Sequence, residues 1–193
     1  MNFFTADSHF SDNDKSVISR DYRPFCSLKE MNEEIIKTWN NQAKKEDVIY
    51  HLGDFVNYNW TDMDCERRLK FVQKLKAKVV LVLGNNEKRI MKNEFADNFE
   101  NFREYLIKLG FFDVYENELR LKIGENEYKL VHEPNQADKE SGFNLFGHIH
   151  RCVFVKRYGF NVGVDNHNFN LFSEEDIKEL ESRRKFFDDN VYN

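Results

Sequence analysis

Residues 47–54, DVIYHLGD, join a β-branched and aromatic run to a terminal Gly-Asp dipeptide. A short apolar run of this kind predicts a buried strand, and the dipeptide predicts the turn that ends it. Residues 2–9, NFFTADSH, and residues 79–87, VVLVLGNNE, also pass from an apolar run into a polar segment. We therefore expect three short strands, each followed by a loop with polar side chains.

Helical patterns separate these strands. Ser27 and Glu30 form a capping-box pattern, in which a hydroxyl residue precedes a glutamate by three positions at a helix start. The predicted helices run from about Leu28 to Lys44, from a cap at Thr61 along a stripe of Leu69, Val72 and Leu75, from Phe99 to Leu109 before Gly110, and from Ser173 with Asp176 onward. This alternation of strands and helices predicts an α/β core.

The second half of the chain is rich in strand patterns. Predicted strands cover Leu119 to Ile123, Tyr128 to His132, Phe143 to Ile149, Val153 to Val155 and Phe160 to Val164. The sequence shows no internal repeat, no low-complexity tract and no domain boundary. Because 193 residues match the size of one ordinary domain, we expect residues 1–193 to form a single domain.

Composition and charge limit the classes of function. The formal net charge of −5 lacks the positive field that non-specific nucleic-acid binding or attachment to anionic membranes requires, although a local basic groove is not excluded. The three cysteines form no CxxC pair, and their odd number argues against a disulfide framework. No long apolar run begins the chain, so we expect no signal peptide, no membrane span and a cytoplasmic location. The sequence does not indicate an oligomeric state.

Metal-binding residue types follow successive predicted strands: Asp7, His9, Asp54, Asn85, His132, His148 and His150. In α/β sheets ligands collect outside the carboxyl ends of the strands, so these side chains are expected to converge on one crevice. Imidazole nitrogen mixed with carboxylate and amide oxygen favours Mn, Fe, Ni, Co or Zn over Ca or a thiolate site. The two oxygens of Asp54 could bridge a pair of ions about 3.5 to 4 Å apart.

Five motifs occur in one order along the chain: DSH at 7–9, GD at 53–54, GNNE at 84–87, VHEP at 131–134 and GHIH at 147–150. Together they resemble the signature of calcineurin-like metallophosphoesterases. The segment NVGVD at 161–165 is also similar to the strand after GHIH in small bacterial and phage members. The resemblance implies two mixed β-sheets packed face to face and flanked by helices.

The resemblance also implies a dinuclear centre of divalent ions, with manganese favoured. Asp7, His9 and His150 would hold the first ion and Asp54 would bridge. Asn85, His132 and His148 would hold the second. The implied reaction is hydrolysis of a phosphodiester or an activated phosphomonoester, a nucleotide among the candidates, by a metal-bound hydroxide. The alternative is a non-catalytic metal-binding scaffold or protein-interaction module, although a scaffold has no need of seven ligands.

Asn86 departs from the family pattern, which usually has a histidine that assists the leaving group after the asparagine of its GNH motif. Asparagine donates hydrogen bonds but transfers no proton at neutral pH, so we expect a dependence on leaving-group quality. This favours phosphodiesters over monoesters with alkoxide leaving groups. His51 or His167 could supply the missing proton, but no motif includes either position, which favours an ordinary hydrogen-bonding histidine at each. For His132 the alternative to a ligand is likewise a satisfied histidine at a strand end.

Overall fold

The computed structural model describes residues 1–10, 23–58 and 65–184. The strands are β1 (Asn2–Thr5), β2 (Val48–His51), β3 (Lys78–Val82), β4 (Asp113–Tyr115), β5 (Glu118–Ile123), β6 (Asn126–Val131), β7 (Asn144–Phe146), β8 (Val155–Lys156), β9 (Gly159–Asn161) and β10 (Phe172–Ser173). The α-helices are α1 (Leu28–Gln42), α2 (Cys65–Leu69), α3 (Asn85–Glu94), α4 (Phe99–Leu109) and α5 (Glu174–Arg183). Short 3₁₀ helices cover Lys70–Lys74, Pro134–Gln136 and Val164–Asn166.

The strands form two five-stranded sheets, both of mixed direction. The first has the order β10-β1-β2-β3-β4, with β1 to β4 parallel and β10 antiparallel to β1. The second has the order β5-β6-β7-β9-β8, with parallel pairs at its centre and antiparallel pairs at its edges. The predicted fold class, two mixed sheets flanked by helices, is confirmed.

Strand alternation divides the apolar side chains of the first sheet between two cores. Phe3 and Ile49 face the helical side, where they share a cluster with Trp39 of α1 and Leu106 of α4. Phe4 faces the second sheet, where the other cluster includes Val82 from the first sheet, then Leu130, Leu145 and Phe160 from the second, and Ile177 of α5. The sheets therefore pack face to face and leave their strand-end loops together at one rim.

Most predicted elements are confirmed within one to three residues. The Ser27 side chain accepts a hydrogen bond from the Glu30 N–H at the start of α1, but the Glu30 carboxylate accepts from the Cys26 N–H and not from Ser27. Helix α4 has the predicted bounds, with Gly110 as its C-cap. Ser173 and Asp176 form the capping box of α5.

Three local predictions need correction or lie outside the structure's range. The helix expected before β3 is α-helical only over Cys65–Leu69 and continues as a 3₁₀ helix, and its expected cap, Thr61, lies outside the described residues. The Gly84-Asn85 pair ends β3 as expected, but Asn85 also begins α3, which the sequence analysis did not predict.

The described helices also bear on membrane insertion. None of them is both long enough and apolar enough to cross a bilayer.

Candidate metal centre

The loops that follow β1, β2, β6 and β7 meet at one rim of the two sheets, together with the N-terminus of α3. Backbone hydrogen bonds fix their mutual positions, since Asp7 N–H donates to Gly53 at 3.0 Å and His9 N–H donates to Asp54 at 3.0 Å. The N–H of Gly147 donates across the second sheet to His132 at 3.0 Å. The sheet framework thus brings together all seven residues that the sequence analysis selected.

The first group of possible ligands consists of Asp7, His9 and His150, whose ligating atoms all lie within 4.8 Å of one another. Asp7 and His9 are buried, with exposed fractions of 0% and 1%. The Asp7 carboxylate accepts the backbone N–H of His148 at 2.8 and 3.0 Å. This bond holds the loop after β7 against the loop after β1.

The second group consists of Asp54, His132 and His148, again with ligating atoms within 4.8 Å of one another. Asn85 joins it through its amide oxygen, which lies 3.1 Å from His132 Nε2 and 2.9 Å from His148 Nδ1. The two imidazole nitrogens are themselves 3.2 Å apart. The amide oxygen of Asn85 and the two imidazole nitrogens therefore lie close enough together to bind one ion.

Asp54 lies between the two groups. Its Oδ2 is 3.7 Å from His9 Nε2 in the first group, and its Oδ1 is 3.6 Å from His132 Nε2 in the second. A carboxylate with one oxygen directed at each group has the geometry needed to bridge two cations.

The backbone of the site is strained. Among the described residues nine non-glycine positions have positive φ, and five of them are site residues: Asp7 at 59°, His9 at 50°, Asp54 at 53°, His148 at 72° and His150 at 48°. Such conformations cost about 1 to 3 kcal/mol each and persist only where the surroundings enforce them, typically at functional sites. The strain directs several side chains from short loops into one small volume.

Two glycines let the backbone approach the carboxylates closely. A Cβ at Gly84 would lie 2.3 Å from Asp54 Oδ1, and a Cβ at Gly147 would lie 2.8 Å from Asp7 Oδ2. Both distances are shorter than any tolerated contact, so larger residues at these positions would displace the carboxylates.

Hydrogen bonds fix the orientation of two histidine rings. His132 Nδ1 lies 2.7 Å from the Leu52 carbonyl oxygen, which can only accept, so Nδ1 carries the proton and the lone pair lies on Nε2. His150 Nδ1 lies 2.8 Å from Asp165 Oδ2, which fixes that ring in the same way. Partners of this kind orient metal-binding histidines in proteins.

The Asp165 carboxylate is fixed in turn by Arg23. The guanidinium donates from Nε to Oδ1 at 2.9 Å and from Nη2 to Oδ2 at 3.1 Å. It also donates to the backbone oxygens of Asp7 and Ser8, at 2.5 and 2.8 Å. Burial tends to raise the pKa of Asp165, but the bond from His150 and the Arg23 charge outweigh it and hold the pKa well below its usual range.

The electrostatics of the centre favour a cation. Burial, reinforced by the charge of Asp54, raises the pKa of Asp7 well above its usual value, and burial raises the pKa of Asp54 to about 6. Burial and the Arg23 charge lower the pKa of His9. Buried carboxylates and neutral imidazoles are the states that a divalent ion stabilises as ligands.

Two further observations test whether a metal fits. Both ring nitrogens of His9 are buried and lack a hydrogen-bond partner among the described residues. A buried histidine of this kind calls for an explanation such as an ion, because buried polar atoms are nearly always paired. The donor set of imidazole nitrogen with carboxylate and amide oxygen suits a divalent transition metal. The residues therefore fit the group that they were predicted to bind.

Comparison with known families agrees with this geometry. The family model of calcineurin-like phosphoesterases matches residues 3–189. The chain belongs to the calcineurin-like phosphoesterase family. Members of this family are hydrolases of phosphoester bonds and bind divalent metals.

Individual relatives of this phosphoesterase are distant. The uncharacterized protein MJ1445 of Methanocaldococcus jannaschii is 26% identical over 194 residues, covering 95% of this chain and 92% of that protein. The crystal structure of AQ665, a protein of unknown function from Aquifex aeolicus, aligns with a TM-score of 0.62 at 21% identity, over 93% of this chain and 98% of that one. The structure of a novel archaeal phosphodiesterase aligns with a TM-score of 0.48 at 17% identity, over 84% and 81% of the respective chains. The Aquifex structure shows that the fold is shared.

The remaining histidines and Asn86 have definite places in the phosphoesterase fold. Asn86 is buried beside the centre, where its N–H donates to Asp54 Oδ1 at 2.9 Å. His51 is wholly buried and bonded to the Ser8 hydroxyl at 2.9 Å, and burial lowers its pKa to about 3. The burial of His51 and its bond to Ser8 argue against a role as the missing proton donor. The ring of His167 stacks on Phe172 with centroids 4.2 Å apart.

Three supporting residues were missed by the sequence analysis: Arg23, Glu87 and Asp165. Glu87 is fully buried, and its carboxylate accepts the N–H groups of Asp54 at 2.8 Å, Gly84 at 3.0 Å and Val56 at 3.2 Å. Burial and the Asp54 charge raise its pKa to about 7. Glu87 and Asp165 lie within the GNNE and NVGVD segments, so their acidic side chains could have been recognised from the sequence as candidates for the site. Arg23 lies in no such segment.

Proposed function

We propose that this protein hydrolyses a phosphodiester, or an activated phosphomonoester, with two divalent metal ions, most suitably Mn²⁺. Asp7, His9 and His150 would hold the first ion, and Asn85, His132 and His148 the second. Asp54 would bridge the pair. Fe, Ni, Co and Zn also suit this donor set.

One observation carries the proposal. The carboxylate of Asp54 directs Oδ2 toward His9 at 3.7 Å and Oδ1 toward His132 at 3.6 Å, so one side chain contacts both groups of donors. When bound, a pair of ions supplies an activated water and offsets negative charge on the phosphoryl oxygens. A single-metal site would not need this shared carboxylate.

The protein's own residues would act mainly by positioning. Glu87 holds the backbone of Asp54 and Gly84, while Arg23 and Asp165 hold His150 and the loop after β1. Ligands that are already held in position do not have to move during the reaction. This pre-organisation is the main source of electrostatic catalysis in many enzymes. The rigidity of the site is therefore part of the proposed mechanism.

Asn86 supports a preference for good leaving groups. Its side-chain oxygen accepts the Tyr58 N–H at 3.3 Å, and its amide has no proton to transfer at neutral pH. A leaving group that is stable as an anion needs no acid, whereas an alkoxide does. We therefore place diesters and activated monoesters ahead of ordinary alkyl monoesters.

The decisive assay compares bis(p-nitrophenyl) phosphate with alkyl monoesters such as glycerol phosphate, in Mn²⁺, for wild type and Asp54→Asn. We expect the wild type to cleave the diester and the variant to lose at least about 10²-fold in kcat, since metal charge stabilisation is worth several kcal/mol. Absence of turnover in wild type with Mn, Fe, Ni, Co and Zn would instead favour the scaffold alternative.

A further inference from the structure

Helix α3 presents a basic stripe that begins at the metal centre. Asn85, Lys88, Arg89 and Lys92 recur at the spacing of one helical face, and Asn85 is one of the candidate ligands. The opposite face carries the buried residues Asn86, Glu87, Ile90 and Met91. The three cations therefore project from the helix on the same side as the candidate ligand.

A cleft of about 410 Å³ lies along this stripe. Asn85 lines it together with the three cations, and Glu116 and Asp97 are its acidic members. Formal charges of three cations and two carboxylates leave the cleft with one net positive charge on a chain whose total is −5. The cleft is open to solvent, so an anionic ligand could enter it next to the metal centre.

Among the described residues, the stripe lacks the ion pairs that three exposed lysines on other helices make. Lys29, Lys37 and Lys108 each lie within 4.0 Å of a glutamate three or four positions away. Within the described part of the chain, Arg89 and Lys92 have no carboxylate partner, and Lys88 donates to the amide oxygen of Asn117 at 3.0 Å. Like charges at this spacing destabilise a helix. The basic side chains of this stripe are therefore available to an external anionic partner.

We propose that this stripe binds a second phosphate group of the substrate, one that lies beside the phosphate being cleaved. The inference rests on the proposed function. With a rise of about 1.5 Å per residue, Lys88 and Arg89 lie about 4.5 to 6 Å along the helix from Asn85, and Lys92 about 10 Å. This spacing suits neighbouring phosphates of a short nucleotide chain. A substrate with such a second phosphate should therefore bind more tightly than a diester without one.

The test compares the dinucleotide TpT with pTpT and TpTp, which carry one added terminal phosphate. Three proteins are needed: wild type, K88Q/R89Q/K92Q, and the control K29Q/K37Q/K108Q, which loses the same charge at exposed helix sites. We expect wild type and control to prefer pTpT or TpTp over TpT about tenfold in kcat/KM, as one charge-assisted contact predicts. In K88Q/R89Q/K92Q the ratio should fall to about one.

Calorimetric binding in Mn²⁺ of methylene phosphonate analogues, which resist hydrolysis, separates this inference from the proposed function. The same tenfold preference and the same loss are expected in the dissociation constants. If wild type binds all three analogues equally, the basic stripe has no such role, whether or not the protein is active. If preference in binding is found without turnover of any substrate, the stripe is supported and the proposed hydrolysis fails.

Discussion

Arg23 and Asp165 form a buried two-point ion pair, with Nε–Oδ1 at 2.9 Å and Nη2–Oδ2 at 3.1 Å. Their side chains are 0% and 4% exposed. Because Arg23 also binds the carbonyls of Asp7 and Ser8, and Asp165 binds His150, the pair joins two of the loops that carry the metal centre. The two residues are 142 positions apart in the sequence, so the pair is a long-range contact within the site.

Removal of one partner of this pair should be costly. Asp165→Asn leaves the Arg23 charge buried and uncompensated, so we expect a loss of about 3 to 5 kcal/mol in the free energy of unfolding, measured in urea. Asp113→Asn is the matched control, because it breaks the more exposed pair with Arg103 and should cost at most about 1 kcal/mol. Equal losses in the two variants would contradict a special role for Asp165.

The same pair predicts a pH dependence. The pKa of Asp165 is depressed in the folded state, so its contribution is present above its unfolded pKa of about 3.9 and is lost as the pH falls further. The difference in unfolding free energy between wild type and Asp165→Asn should therefore be constant from about pH 5 to 8 and shrink below about pH 4. A difference that grows on acidification would show that the sign is wrong.

His51 predicts a linkage of the same sign at higher pH, because its pKa is also lowered in the folded state but from the higher unfolded value of a histidine. Its folded pKa is lowered to about 3, so the unfolded chain takes up a proton near pH 6.5 that the folded chain refuses. Stability contributed by the neutral ring should fall by about 2 kcal/mol between pH 8 and 5. Urea unfolding in EDTA should show this slope in wild type and a smaller one in His51→Gln. Parallel curves for the two proteins would rule out the buried neutral histidine.

Gly147 predicts a steric effect on metal binding. The Cβ of Gly147→Ala would lie 2.4 Å from the Ala6 Cβ and 2.8 Å from Asp7 Oδ2, so the Asp7 carboxylate must move. We expect Mn²⁺ affinity to fall about 10- to 100-fold, measured by calorimetry. Gly110→Ala is the control, since its φ of +124° costs about 1 to 3 kcal/mol in stability with no neighbour closer than 3.5 Å. Unchanged affinity in Gly147→Ala would contradict the close approach.

Asn86→His should restore a proton donor beside Asp54. General acid catalysis is worth about 10² to 10⁴ in rate, so we expect the ratio of glycerol phosphate to bis(p-nitrophenyl) phosphate hydrolysis to rise at least about tenfold. The gain should disappear at high pH, where the new imidazole is neutral. Asn86→Gln provides the control without an ionisable group, and a similar gain in that variant would exclude proton transfer as the cause.

The sequence predicted which candidate ligands lie close together, but it did not predict the residues that hold them in position. Side chains such as Asp54 and Asn85 directly follow parallel strands, and parallel strands bring their carboxyl ends to one edge, so their convergence needed no tertiary information. Arg23 has no periodic or motif context, and its partner Asp165 lies far along the chain. Only the folded structure could pair them.

Helix α3 was missed for a local reason. Its residues are mostly polar, with Ile90 and Met91 as its buried apolar positions, so no apolar periodicity predicted it. Its N-cap is Gly84, and the capping contact comes from the buried Glu87, which also binds the Asp54 N–H. The start of α3 at Asn85 depends on these tertiary contacts of Glu87, and helix propensity alone does not predict it.

The most direct test of the account is the metal stoichiometry of the purified chain. Metal-free protein would be titrated with Mn²⁺ and analysed for bound metal by inductively coupled plasma mass spectrometry after removal of free ions. We predict two ions per wild-type chain and at most about one per Asp54→Asn chain, because the shared carboxylate is lost. Wild-type protein that binds no Mn²⁺, or an Asp54→Asn chain that still binds two ions as tightly, would contradict the bridged centre.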